Sequence, residues 1–108
     1  MTTISRRFFL QFSGAVLLAA RPVRAASLHK VSIANMAFNP AKLTIKAGDS
    51  VEWKNRDSAE HTATDKGKTW DTGILRRNKT STIVFNTPGE FDYYCAVHPN
   101  MRGKITVT

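Results

Sequence analysis

The segment Cys95-Ala96-Val97-His98-Pro99-Asn100-Met101 carries three metal-binding side chains, with two residues between each and the next. A fourth candidate, His61, stands well upstream of this segment. One thiolate, two imidazoles and one thioether form the ligand set of a mononuclear copper electron-transfer site, in which the methionine is the weak axial ligand. Each residue alone has an ordinary structural explanation, such as a buried thiol or a core methionine. Their joint occurrence predicts a copper site made by His61, Cys95, His98 and Met101.

The segments that must position these side chains show the alternation of β-strands. Apolar residues recur at every second position in six short runs, and turn signals such as Ala47-Gly48-Asp49 separate the runs. The alternating pairs are Val31 and Ile33, Leu43 and Ile45, Val51 and Trp53, Ile83 and Phe85, Phe91 and Tyr93, and Ile105 and Val107. This pattern predicts an all-β fold, a small antiparallel sandwich or barrel.

The same alternation predicts where the thiol points. Cys95 lies on the face of Phe91 and Tyr93, so its sulfur should face the core at the end of that strand, where a loop begins. His61 follows the strand that contains Trp53. We therefore expect two loops to meet at one end of the sandwich and to bring the ligands together.

Residues 1–25 are predicted to be an export signal. A segment with Arg6 and Arg7 precedes a mostly apolar run, and Val23-Arg24-Ala25 supplies the small residues of a cleavage site. The stretch Ser5-Arg6-Arg7-Phe8-Phe9-Leu10-Gln11 resembles the twin-arginine export motif. The alternative is a membrane anchor, for which the apolar run is short. We expect a periplasmic domain over residues 26–108, cut after Ala25 or Ala26, with no stable membrane insertion unless the signal stays uncleaved.

The charge and the cysteine content of the chain exclude some classes of structure and partner. Of the formal net charge of +8, half comes from the four arginines of the predicted signal, Arg6, Arg7, Arg21 and Arg24. The single cysteine excludes a disulfide within the chain. A bound metal ion is another feature that stabilises small domains. No nucleic-acid recognition motif accompanies the charge, so we expect no nucleic-acid partner. Five cations in the middle of the chain are either ordinary solvated charge or a patch that attracts an acidic redox partner; they are Lys66, Lys68, Arg76, Arg77 and Lys79.

The region from about Leu28 to Thr108 resembles the small cupredoxins of the amicyanin, pseudoazurin and plastocyanin group. The matching stretches are Met36-Ala37-Phe38-Asn39-Pro40, Ala47-Gly48-Asp49-Ser50-Val51-Glu52-Trp53, Asp57-Ser58-Ala59-Glu60-His61-Thr62, Asp71-Thr72-Gly73 and Pro88-Gly89-Glu90-Phe91-Asp92-Tyr93-Tyr94-Cys95. The resemblance implies a single Greek-key β-sandwich that holds one type 1 (blue) copper ion. His61, Cys95 and His98 would be its equatorial ligands and Met101 its axial ligand.

The resemblance also implies a function, the shuttling of single electrons by Cu(II)/Cu(I) cycling. We expect a monomer that meets transient partners such as a c-type cytochrome or a dehydrogenase. It should not be an enzyme, because protein side chains fill every position around the metal. His98 is expected to carry the electron, with Pro99, Met101 and Met36 as an apolar rim around it. One departure from several relatives is Thr62, which stands where they have an asparagine after the first histidine; its hydroxyl could link the two copper loops.

Copper carriage or storage with the same ligands is the alternative function. An intensely blue, stable oxidised form would favour electron transfer, and a colourless form that holds only Cu(I) would favour carriage. Two other copper chemistries are excluded by composition: a binuclear copper centre needs two cysteines, and a multicopper oxidase cluster needs more than the three histidines present.

Overall fold

The computed structural model describes residues 24–108, which form two four-stranded sheets. The strands are β1 (Leu28–Ala34), β2 (Ala37–Asn39), β3 (Lys42–Ile45), β4 (Ser50–Asn55), β5 (Thr64–Asp65), β6 (Thr80–Val84), β7 (Gly89–Tyr94) and β8 (Arg102–Val107). The first sheet has the order β2-β1-β4-β6 and the second the order β3-β8-β7-β5. The predicted all-β sandwich is thereby confirmed. The predicted export signal lies outside the described residues, apart from Arg24 and Ala25.

Pairing within the sheets is mixed, which differs from the antiparallel pairing expected from the sequence. Strands β1 and β4 run parallel in the first sheet, as do β3 and β8 in the second, and the other neighbours are antiparallel. The reason is the path of the chain. After the β1–β2 hairpin the chain crosses to the other sheet for β3, and it returns on the free side of β1 in the same direction as β1.

Aromatic side chains from both sheets join in the core. Trp53 on β4 and Tyr93 on β7 are fully buried and meet edge to face, with ring centroids 5.5 Å apart. Trp70 stacks on Trp53 at 5.2 Å, and Phe38 meets Tyr93 at 4.7 Å. Edge-to-face and offset contacts of this kind add to the free energy gained by burial of the rings. They fix the spacing of the two sheets directly below the strand ends that carry the candidate ligands.

The Tyr93 hydroxyl predicts how stability changes at alkaline pH. Burial raises its pKa from 10.0 to about 12. An unfolded chain would therefore release this proton at a lower pH than the native chain does, so the stabilisation is complete below pH 10 and is lost as pH rises through the native pKa. Between about pH 10 and pH 12 we expect the free energy of unfolding to fall more steeply in the wild-type protein than in Tyr93→Phe. Urea denaturation across this range tests the prediction, and parallel pH profiles would contradict it.

The candidate ligands follow two strand ends. The chain leaves β4 at Asn55 and reaches His61, which forms an isolated bridge with Leu75. It leaves β7 at Tyr94, passes directly to Cys95, and enters β8 at Arg102. Within residues 24–108 there is no helix of the length and hydropathy that a membrane span requires.

Candidate metal centre

Three of the four predicted ligands converge. The Cys95 sulfur lies 3.7 Å from Nδ1 of His61 and 3.9 Å from Nδ1 of His98, and the two Nδ1 atoms are 3.2 Å apart. Three atoms at this spacing surround a point roughly 2 Å from each, which is the length of metal–nitrogen and metal–sulfur bonds. The donor set, one thiolate and two imidazoles, is that of a trigonal copper site. The residues therefore fit a single copper ion.

His61 is held from both sides. Its backbone pairs with Leu75, with N–H···O distances of 3.2 and 2.7 Å, and its ring is fully buried. Nε2 lies 2.9 Å from Oδ2 of Asp57. When Nε2 donates its hydrogen to this carboxylate, Nδ1 is left with a free lone pair that faces the Cys95 sulfur. The ring is thus oriented with its metal-binding nitrogen toward the cluster.

Asp57 connects His61 to the β1–β2 turn. Its carboxylate accepts the backbone N–H groups of Asn35 and Met36 at 2.8 and 3.0 Å. The Met36 N–H, followed by the His61 ring and the Asn35 N–H, holds the pKa of Asp57 below its usual range. Asn35 and Met36 have φ values of 52° and 58°, as a two-residue hairpin turn requires. Asp57 therefore fixes a strained turn and a candidate ligand together.

Asp57 is not among the residues predicted from the sequence, although the sequence holds a signal for it. A metal-binding histidine usually donates its second ring N–H to a carboxylate or a carbonyl. An aspartate four residues before His61 is a candidate for that partner, but only the loop geometry shows that the chain curls back far enough to bring the two together.

The loop from Cys95 to Met101 is closed by its own backbone. The Cys95 N–H donates to the Met101 carbonyl at 3.1 Å, and the Met101 N–H donates to the His98 carbonyl at 2.9 Å. Two further N–H groups, of Thr62 and His98, donate to the Cys95 sulfur at 3.3 and 3.4 Å. Hydrogen bonds around such a sulfur tune the redox potential of a copper–thiolate site. These backbone hydrogen bonds therefore fix the orientation of the thiol within the loop.

Met101 and His98 differ in their access to solvent. Met101 is 4% exposed and stands at the end of the closed loop, a position suitable for a ligand. The expectation that Met101 belongs to an exposed apolar rim is therefore wrong, because the backbone pairing with Cys95 turns this residue into the core. His98 is partly exposed, and its neighbours Val97 and Pro99 are exposed, as is Met36. The exposed apolar residues of these loops are Met36, Val97 and Pro99 instead.

Thr62 links the two loops, as the sequence suggested. Its hydroxyl oxygen accepts the Ala96 N–H at 2.8 Å and lies 2.8 Å from the hydroxyl oxygen of Thr64. Thr64 in turn donates to Asp71 at 3.1 Å. Since the Thr64 hydrogen is committed to Asp71, Thr62 must donate to Thr64. The chain of hydrogen bonds thus has one direction, from the ligand loop to Asp71.

We expect Thr62→Val to loosen the ligand loop. The substitution keeps the volume but removes the acceptor for Ala96, which should cost about 1–2 kcal/mol of the free energy of unfolding. Amide hydrogen exchange at Ala96 in the metal-free protein should accelerate by about tenfold or more. Thr62→Ser is the matched control because it retains the hydroxyl. Equal exchange rates in the two variants would contradict the role given to the hydroxyl.

Comparison with known protein families agrees with this geometry. The model of the cupredoxin-like domain matches residues 8–107. Amicyanin-alpha of Methylorubrum extorquens is 37% identical over an alignment of 106 residues, and the match covers 89% of this chain and 89% of the relative. Amicyanin of Paracoccus versutus is 34% identical over an alignment of 96 residues, and the match covers 81% of this chain and 73% of the relative.

The fold comparison leads to the same group. A solved structure of an oxidised amicyanin variant superposes with a TM-score of 0.71 at 30% identity, and the match covers 83% of this chain and 89% of that structure.

Proposed function

This chain belongs to the cupredoxin-like family, and from that premise we propose that His61, Cys95, His98 and Met101 hold its one copper ion. The convergence of the Cys95 sulfur and the two Nδ1 atoms within 3.2–3.9 Å carries the proposal. Met101 is assigned as the fourth ligand because it is buried at the end of the loop that presents two of the others. The family and the donor set make the chain a type 1 copper protein.

The protein is an electron carrier rather than an enzyme. The bound copper ion supplies reversible one-electron oxidation and reduction. Hydrogen bonds within the protein hold the candidate ligands in place. Asp57 orients His61, Thr62 connects the two loops, and backbone N–H groups fix the Cys95 sulfur. A site held in this way needs little rearrangement when its charge changes, which favours fast exchange of electrons.

His98 is proposed as the point of electron entry and exit. Its ring is partly exposed, whereas His61 and Cys95 are fully buried. The exposed side chains of Met36, Val97 and Pro99 supply apolar surface near the site. A small apolar face of this kind suits the short-lived, low-area contacts of redox proteins. We propose that a monomer meets partners such as a c-type cytochrome or a dehydrogenase in this way.

The five cations noted in the sequence lie in two turns. Lys66 and Lys68 follow β5, and the other three precede β6, where Arg76 pairs with Glu60 at 2.9 Å. Both members of that pair are largely exposed, so it contributes little to stability. We propose that these turns attract acidic partners. Stopped-flow electron-transfer rates with an acidic redox protein should then fall as ionic strength rises. Rates that do not change with ionic strength would contradict the proposal that these turns attract acidic partners.

The place of action is proposed to be the periplasm. The basis is the predicted export signal over residues 1–25, with its resemblance to the twin-arginine motif. Fractionation of cells that produce the full chain tests the location. Replacement of Arg6 and Arg7 by lysine should retain the protein in the cytoplasm if the twin-arginine route is used. Unchanged export would refute the twin-arginine route and would not affect the proposal for the copper site.

Optical and EPR spectra of the copper-loaded protein are the decisive experiment for the whole proposal. We expect an intense blue band in the oxidised form, its loss on reduction, and its return on reoxidation. A colourless protein that binds only Cu(I) would overturn electron transfer in favour of copper carriage or storage. Titration of the metal-free protein should reach its endpoint at one copper ion per chain.

A further inference from the structure

Asp49 is a buried carboxylate with four hydrogen-bond donors. Its side chain is 2–3% exposed, in the turn before β4, at the end of this strand opposite to the metal centre. It accepts from the Arg24 guanidinium at 2.6 Å, the Ser27 N–H at 2.9 Å, the His29 ring at 3.0 Å and the Lys46 N–H at 3.1 Å. These contacts, the Ser27 N–H first, hold the pKa of Asp49 far below its usual range.

Three of the four donors come from the segment that opens the fold. Arg24, Ser27 and His29 surround the carboxylate at one side of a cleft of about 270 Å³. Ser27 is fixed twice, since its carbonyl also accepts the Ser50 N–H at 3.0 Å. The first strand therefore starts from a residue whose N–H and carbonyl both have partners.

Removal of the signal would take away one of these partners. A cut after Ala25 or Ala26 removes Arg24, the only one of the four donors that carries a permanent positive charge. His29 is charged only when it is protonated, and the Ser27 and Lys46 contacts are made by backbone N–H groups. A buried carboxylate that loses its cation is costly unless another positive group replaces it. Hydrolysis of the peptide bond by an export peptidase consumes one water and leaves a carboxylate on the leader and an ammonium group on the domain.

We propose that Asp49 is the docking site for this new amino-terminal ammonium group, which takes the place of the Arg24 guanidinium. A cut after Ala26 would turn the Ser27 nitrogen, already 2.9 Å from Oδ1 of Asp49, into the ammonium itself. A cut after Ala25 would supply the ammonium of Ala26, the residue adjacent to that contact. The proposal rests on the export and processing proposed above.

The reactivity of the amino terminus tests the proposal on the exported protein. An ion pair with Asp49 raises the pKa of the terminal amine above its ordinary value of about 7.7–8.0, and at a fixed pH below that value each unit of increase lowers the fraction of reactive free amine about tenfold. At about pH 7 we expect acylation of the terminal amine to be at least about tenfold slower than in Asp49→Asn. The lysines of each sample provide the internal reference rate, and intact mass identifies the first residue.

A second variant keeps Asp49 intact. One glycine inserted before the mature first residue moves the ammonium group away from the carboxylate, so its acylation should match that of Asp49→Asn. This comparison still decides the question if Asp49→Asn does not fold. Equal rates in the wild-type and extended proteins, or an exported chain that retains Arg24, would overturn the proposal. The blue band of the same samples reports the copper site separately, so a failure of the copper assignment is recognised independently.

Discussion

Replacement of Cys95 by serine is expected to abolish the blue colour of the copper-loaded protein. The sulfur belongs to the single cysteine of the chain and faces both candidate histidine ligands, 3.7 and 3.9 Å from their Nδ1 atoms. An oxygen at this position cannot supply the thiolate character on which a blue site depends. Copper affinity should fall by more than the roughly 10–100-fold typical when an outer contact of a metal ligand is lost.

The control for this prediction is Thr62→Ser, which leaves every proposed ligand in place. Its copper-loaded form should remain blue, and its metal-free form should unfold at nearly the wild-type urea concentration. Visible spectroscopy and a competition titration with a copper chelator measure both properties. A Cys95→Ser protein that stays blue and binds copper at wild-type strength would refute the ligand set.

Gly103→Ala is expected to destabilise the protein strongly because it forces an extra methyl group against the core. A Cβ atom at Gly103 would lie 2.5 Å from the hydroxyl oxygen of Tyr93 and closer still to Cζ of the same ring. Tyr93 cannot easily move, because it is fully buried between Trp53 and Phe38. The overpacking should cost about 3 kcal/mol of the free energy of unfolding, at the upper end of the usual range.

Gly67→Ala is the matched control. Its Cβ would approach the side chain of Asp65 at 3.3 Å, a contact that a small shift can relieve. We expect a cost below about 1 kcal/mol for this variant. Urea denaturation of the metal-free proteins compares the two variants. Equal midpoints of unfolding would show that the Tyr93 ring can move to make room for the added methyl group.

Six of the eight strands and the convergence of three ligands were predictable from the sequence. The alternation of Val31 with Ile33 and of Val51 with Trp53 corresponds to β1 and β4, and both pairs are buried as expected. The inward direction of Cys95 followed from the same period, because this residue continues the face of Tyr93. Periodicity is informative wherever one face of a strand is buried and the strand is long enough to show it.

The remaining features depend on contacts between distant segments. Strands β2 and β5 have three and two residues, too few for a period to be visible. The parallel pairing of β1 with β4 follows from the path of the chain, which no local pattern contains. The contact of Asp57 with the Met36 N–H depends on two positive φ values in the turn. Such values are unusual for methionine, so the sequence gives no reason to expect them there.

The position of β8 has a consequence for biosynthesis. This strand comes last of the eight in chain order, yet it lies inside its sheet, paired with β3 on one side and with β7 on the other. While the ribosome still covers residues 102–107, the strand that lies between β3 and β7 is missing, and the second sheet cannot close. The second sheet therefore closes only after β8 has emerged, and until then the loop from Cys95 to Met101 is anchored by strand β7 alone.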